Sequence, residues 1–193
     1  MGIFDGQARF AAYILISSEK RYNHLMESVL IEETLGSYLA EKGYFLATAE
    51  SCTGGLIASR ITNIPGSSQY FLGSMITYSN QAKTRWLGVK EETLAAYGAV
   101  SRPTVEEMAL GLVRNLEGFC SPAKLLTLAV SGIAGPNGGT PGKPVGYVWI
   151  AWSFNTMVRS ENFHFQGERI SIKEQSADQA LLGAWQWLQK LSQ

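Results

Sequence analysis

Apolar and polar positions along the chain change period several times, and each change marks an element. Ile31, Leu35, Tyr38 and Leu39 recur three and four residues apart among Glu32, Glu33, Glu41 and Lys42, with Gly43 as a stop, so the spacing predicts a surface helix with one buried face. The next run, YFLATA from Tyr44 to Ala49, is short and mostly apolar, the pattern of a buried strand. TGGLIASRITNI, from Thr53 to Ile64, predicts the helix that follows it. QYFLGSMITYSN is rich in strand formers, and QAKTRWLG and KEETLAAYG predict two short helices ended by glycine. Thr104 and Glu107 have the spacing of a capping box ahead of Val105, Met108, Ala109, Leu112, Val113 and Leu116, which predicts a further helix.

KLLTLAV, ending at Val130, reads as a strand covered on both faces, whereas GIAGPNGGTPGKP holds too many breakers to be anything but a loop. VGYVWIAWS and MVRSENFHFQ predict a strand pair turning at Asn155. Ala177, Ala180, Leu181, Ala184, Trp185, Leu188 and Leu191 predict an amphipathic closing helix. Strands alternating with helices imply an α/β protein, a three-layer α/β/α sandwich whose sheet is mixed and mostly parallel.

Composition narrows the function classes. At 193 residues the chain is the size of one domain, and its 46% apolar content excludes global disorder. Lys plus Arg balance Asp plus Glu at 16 each, leaving no net field to attract nucleic acid or an anionic membrane. Cys52, Cys120, His24 and His164 do not fall at zinc-site spacings and make no disulfide framework, which predicts a metal-free chain in a reducing, cytoplasmic setting. The FAAYILI run, Phe10 to Ile16, is far shorter than the roughly 20 residues of a membrane span. Asp5 before it and the lack of a small-residue cleavage site after it argue against export. Residues 1–26 are therefore expected to be an extension of unassigned role, with Met26 as a candidate initiator, and residues 27–193 to be the domain.

One stretch concentrates chemistry: ATAESCTGG, Ala47 to Gly55, lies between a predicted strand and a predicted helix. In open α/β sheets ligands bind at the carboxyl ends of strands, where helix N-termini present unpaired N–H groups. Ser51 at such a turn has the position of a nucleophile, with the backbone of Cys52, Thr53, Gly54 and Gly55 as oxyanion donors; its commonplace alternative is a helix cap. Cys52 is the rival nucleophile. A serine needs a base. His164 sits in a strand pattern of its own, whereas TYSNQAK places Tyr78 and Lys83 around a strand-to-helix turn, and a desolvated lysine serves as a base. The default for Lys83 is an exposed helix residue. GPNGGTPGK offers backbone N–H groups and Lys143 as a phosphate nest or else a plain connection; it lacks the ending of a P-loop.

ATAESCTGG, YSNQAK, GAVS, SGIAGPNGGTPGKPVGYV and GER, in this order, resemble the C-terminal domain family of the competence-damage protein CinA, from about Glu27 onward. The family's stand-alone members include nicotinamide-nucleotide amidohydrolases. The resemblance implies metal-free, cofactor-free hydrolysis of nicotinamide mononucleotide (NMN) to nicotinic acid mononucleotide and ammonia. It also implies Ser51 as nucleophile, Tyr78 and Lys83 as its partners, and Ser131, Gly132 and Arg169 as substrate-binding residues. Gln81 and Lys173 depart from the family pattern, which has glutamate and a second arginine there. A non-hydrolytic binding module and an amidase for a different small amide are the alternatives. The only partner expected besides a pyridine mononucleotide is another copy of the chain, since Trp185 and Trp187 fall on different faces of the closing helix.

Overall fold

A computed structural model describes residues 31–191; the expectations for residues 1–26 lie outside them. Helix α1 covers 31–42 and leads into β1, Phe45–Glu50. There follow α2 (Leu56–Thr62), β2 (Phe71–Ile76), α3 (Asn80–Leu87), α4 (Glu91–Tyr97) and α5 (Arg102–Asn115). The chain continues through β3 (Leu125–Gly132), β4 (Tyr147–Phe154), β5 (Met157–His164) and α6 (Arg169–Leu191). The five strands form one sheet in the order β2-β1-β3-β4-β5. β1 pairs parallel with β2 and β3, while β4 runs antiparallel to both of its neighbours, so four strands share a direction and β4 opposes them. The reversal into β5 is a tight two-residue turn in which Asn155 and Thr156 take φ of 48° and 66°, the left-handed conformation such hairpins require.

Alternation along the strands builds two cores. Leu46, Leu128, Val130, Val148, Ile150 and Trp152 face α1, α2 and α6, where Leu35, Leu39, Ile57, Ile61, Ile172 and Leu181 meet them. The other face presents Ala47, Ala49, Ala129 and Ala151 to α3 and α5, which contribute Leu87, Val105, Met108, Ala109 and Leu112. This is the expected three-layer α/β/α sandwich. On the first face Trp152 donates its indole N–H to the Ala180 carbonyl at 2.8 Å. Gly183 lies so near the same ring that an added Cβ would stand 2.3 Å from it.

Two helix starts and one side-chain role differ from the pattern-based expectation. The N-cap of α5 is Ser101, which accepts from the Thr104 amide, and Thr104 lies inside the helix with its hydroxyl donating to Gly98 O at 2.8 Å. Glu107 serves the neighbouring helix instead: its carboxylate accepts from the Lys90 amide at 2.8 Å and the Thr93 hydroxyl at 2.7 Å, at the start of α4. Helix α6 begins at Arg169, eight residues before the apolar pattern becomes regular, because its first turns are largely polar or exposed. The tryptophans of α6 are used within the chain: Trp187 is buried, and Trp185 packs edge-on against Tyr38 at 5.3 Å between ring centroids. They therefore give no support to self-association. Among the described residues no helix is long and apolar enough to cross a membrane.

Candidate active site

β1, β2 and β3 end at one edge of the sheet. The register pairs Glu50 with Ile76 on one side and Val130 on the other. Two more ladder bonds, Thr77 N–H to Glu50 O at 2.8 Å and Ser51 N–H to Val130 O at 3.0 Å, carry the pairing one step further. Thr77, Ser51 and Ser131 consequently stand side by side. Since Ala49, Met75 and Ala129 belong to the α3/α5 core, alternation puts these three hydroxyls on that same face.

Helix α3 delivers the amine. Ser79 caps it, accepting from the Ala82 amide at 3.1 Å, and Lys83 and Leu87, one turn apart, are its two buried residues. Only 1% of Lys83 is exposed. Its Nζ lies 2.9 Å from Ser51 Oγ and donates to Thr77 O at 2.8 Å, with Tyr78 O at 3.5 Å. Burial lowers the Lys83 pKa from 10.5 to about 8. A neutral amine keeps two N–H donors and one lone pair. With the Thr77 and Tyr78 carbonyls taking the donors, the lone pair is left facing the serine hydroxyl.

The same desolvation disfavours Cys52 as the nucleophile. Burial raises its thiol to about 12, and its own and Thr53's backbone N–H groups and the Lys83 charge only partly oppose the rise. Its sulfur packs behind the turn, 3.1 Å from where a Cβ on Gly132 would stand. Gly132 is thus glycine for packing: its added Cβ would also lie 2.5 Å from Val148 Cγ2.

Glu50 is the residue that sequence reasoning missed. Alternation turns it to the opposite face from Ser51, where its fully buried carboxylate accepts from the amides of Gly55 and Ala58 at 2.9 Å and of Ile57 at 3.2 Å. The Ser74 hydroxyl approaches it at 3.4 Å. The carboxylate occupies the N-terminus of α2, and Gly54 N–H closes on Ser51 O at 3.2 Å. Gly54 and Gly55 are therefore spent as donors, and the Cys52 and Thr53 amides lie against the Cys52 sulfur. The glycine identity of 54 and 55 is still required, with φ of 63° and 94°. The available signal was an acidic residue directly before a helix-starting turn.

The outer residues form a rim. Tyr78 is 61% exposed, and its phenol oxygen accepts from Arg169 Nη2 at 2.9 Å; Lys83 reaches Ser51 without it. Arg169, the first residue of α6, also donates through Nη1 to Gly135 O at 2.6 Å. One turn later Lys173 holds its amine 3.8 Å from the position of a Cβ on Gly54, so the departure from the family pattern keeps a cation over the turn. Ser131 is buried and donates to Ala99 O at 2.8 Å, fastening the segment between α4 and α5. Lys143 donates to Tyr97 O at 2.6 Å, at the C-terminus of α4, so the glycine-rich loop is tied down at that end. Among the described residues no group of His, Cys, Asp and Glu is arranged to hold a metal ion.

The three-layer α/β domain has known counterparts. Residues 29–188 match the model of the CinA C-terminal domain, and the chain belongs to that family. A CinA-like protein of Chloroherpeton thalassium is 45% identical over 164 residues, covering 83% of this chain and 38% of the relative. One of Syntrophobacter fumaroxidans is 47% identical over 159 residues, covering 82% and 36%. The chain thus spans well under half the length of these relatives. Among solved structures, the competence/damage inducible protein CihA of Agrobacterium tumefaciens superposes with a TM-score of 0.76 at 37% identity, covering 86% of this chain and 96% of that one. A CinA superfamily protein of Escherichia coli superposes with a TM-score of 0.76 at 30% identity, covering 81% and 88%.

Proposed function

We propose that the chain is an amidohydrolase that converts NMN to nicotinic acid mononucleotide and ammonia. The observation that carries this reading is the 2.9 Å approach of a buried, pKa-lowered Lys83 amine to Ser51 Oγ. Neutral Lys83 takes the Ser51 proton as Oγ attacks the carboxamide carbon, which the cationic pyridinium ring activates. In this reading the developing oxyanion draws on the Cys52 and Thr53 amides, which in the free protein lie against the Cys52 sulfur. Lys83 returns the proton to the nitrogen, which leaves as ammonia, and water then cleaves the acyl-serine by the same base.

The rim supports a phosphorylated substrate. Arg169 and Lys173 lie one helical turn apart on α6, Lys173 near Gly54 and Arg169 beside Gly135 and Tyr78, and present positive charge to a phosphate monoester. Tyr78 offers an exposed ring beside them for the pyridinium face. The test is release of ammonia by the purified protein from NMN, nicotinamide riboside and nicotinamide in parallel, with Ser51→Ala as control. Ammonia from NMN in preference to the other two supports the assignment. Equal use of all three points to a broader amidase, and retention of full turnover by Ser51→Ala removes the serine mechanism.

A further inference from the structure

In the row of three hydroxyls at the strand ends, one belongs to the nucleophile Ser51 and one, Ser131, is committed to the Ala99 carbonyl. The third is not committed. Thr77 is fully buried, and its Oγ1 has no hydrogen-bond partner. A buried hydroxyl without a partner is costly, and at a site that binds a polar group it marks where that group goes. Position separates Thr77 from the two other threonines whose hydroxyls are unmet: Thr48 lies two residues before Glu50 on β1 and shares its face, away from the amine, and Thr53 lies on the turn after Ser51, outside the row of strand-end hydroxyls. Thr77 neighbours Ser51 across the β1–β2 ladder, on the same face, and its own carbonyl holds Lys83 Nζ.

We propose that Thr77 is a further catalytic residue, its hydroxyl accepting an N–H of the substrate's carboxamide nitrogen as that nitrogen departs. This rests on the amidase reading above. When Ser51 Oγ bonds to the carboxamide carbon, its proton passes to Lys83, and the C–N bond breaks as Lys83 hands that proton to the nitrogen. For that transfer the nitrogen lone pair must point at Nζ, so its two hydrogens must point elsewhere. Thr77 Oγ1, on the strand whose carbonyl steers Lys83, gives one of them an acceptor and fixes the rotation about the breaking bond. An ester has no hydrogen on its leaving atom and gains nothing from this contact. Thr77 is thereby a group that favours amides over esters.

The experiment compares kcat/KM for NMN with that for the methyl ester of nicotinic acid mononucleotide, in the wild type and in Thr77→Val, Thr77→Ala and Thr77→Ser. Loss of one catalytic hydrogen bond predicts a fall of about tenfold or more on the amide for the Val and Ala variants. The ester rate should stay near the wild-type value, and Ser should restore the amide rate. The thermal midpoint of Thr77→Val should equal or exceed that of the wild type, because an unmet hydroxyl is removed; if Val does not fold, Ala carries the comparison. An equal fall on amide and ester, or no fall on either, overturns the assignment while leaving the amidase in place. A wild type that cleaves the ester and releases no ammonia from NMN overturns both.

Discussion

Lys83 and Ser51 are 32 positions apart in the chain, yet the amine lies 2.9 Å from the hydroxyl with both residues buried, 1% of the lysine and 7% of the serine being exposed. Removing the amine isolates its contribution. Lys83→Met keeps the volume of the side chain and should fold, and it should lower ammonia release by about a hundredfold or more, the usual scale for a positioned base. Single-turnover assays with NMN check this.

The lowered pKa sets a pH dependence with a definite sign. The base works only when neutral, so kcat/KM should rise with pH and level off above about 8. Stability moves the same way: the unfolded chain binds this proton up to the ordinary value of 10.5, whereas the folded chain releases it near 8. The unfolded state therefore holds more protons between those values, and stability should increase with pH across that window. Denaturant titrations of wild type and Lys83→Met at pH 7 and pH 10 isolate the effect, which should be absent from the variant.

Glu50 should behave as the keystone of the turn. Glu50→Ala leaves three amides at the start of α2 without their acceptor, and a loss of about 3 kcal/mol or more is expected, read from the urea midpoint. Glu50→Gln should recover part of the stability only, because an amide side chain brings a donor toward those donors.

The two cations of α6 should act on binding alone. Arg169→Ala and Lys173→Ala are expected to raise KM for NMN by about tenfold or more, the worth of one charge-assisted contact. The values for nicotinamide riboside should be unchanged. Steady-state kinetics on the pair of substrates separates phosphate recognition from damage to the turn.

Cys52→Ala should retain activity, and iodoacetamide should leave the enzyme active, because burial keeps this thiol protonated up to about 12. Loss of activity in a folded Cys52→Ala variant would contradict the assignment of Ser51.

Much of this was legible in the chain, for reasons that differ by residue. The strands and most helices announced themselves because their burial follows a single period, as in Val105, Met108, Ala109 and Leu112 on α5. Ser51 and Lys83, which the structure brings into contact, were singled out together because a turn serine without a nearby histidine requires another base. Residues acting through tertiary contacts stayed hidden. Thr104 and Glu107 have the spacing of a capping box, but Ser101 caps α5 and Glu107 serves α4, a choice decided by helix packing. Glu50 read as part of a strand, because nothing local reveals that its carboxylate turns to meet amides up to eight residues ahead. Lys173 registered only as a departure from a pattern, since its nearness to Gly54 depends on where α6 docks.

The alternation of Glu50 and Ser51 has a consequence for how this segment tolerates change. Two adjacent residues serve opposite layers, so inserting or deleting a single codon within β1 would trade their destinations, aiming the carboxylate at the amine and the hydroxyl at the helix amides. Point substitutions can be absorbed here one side chain at a time, but a length change cannot, and natural variation in chain length should collect in the connections at the far edge of the sheet.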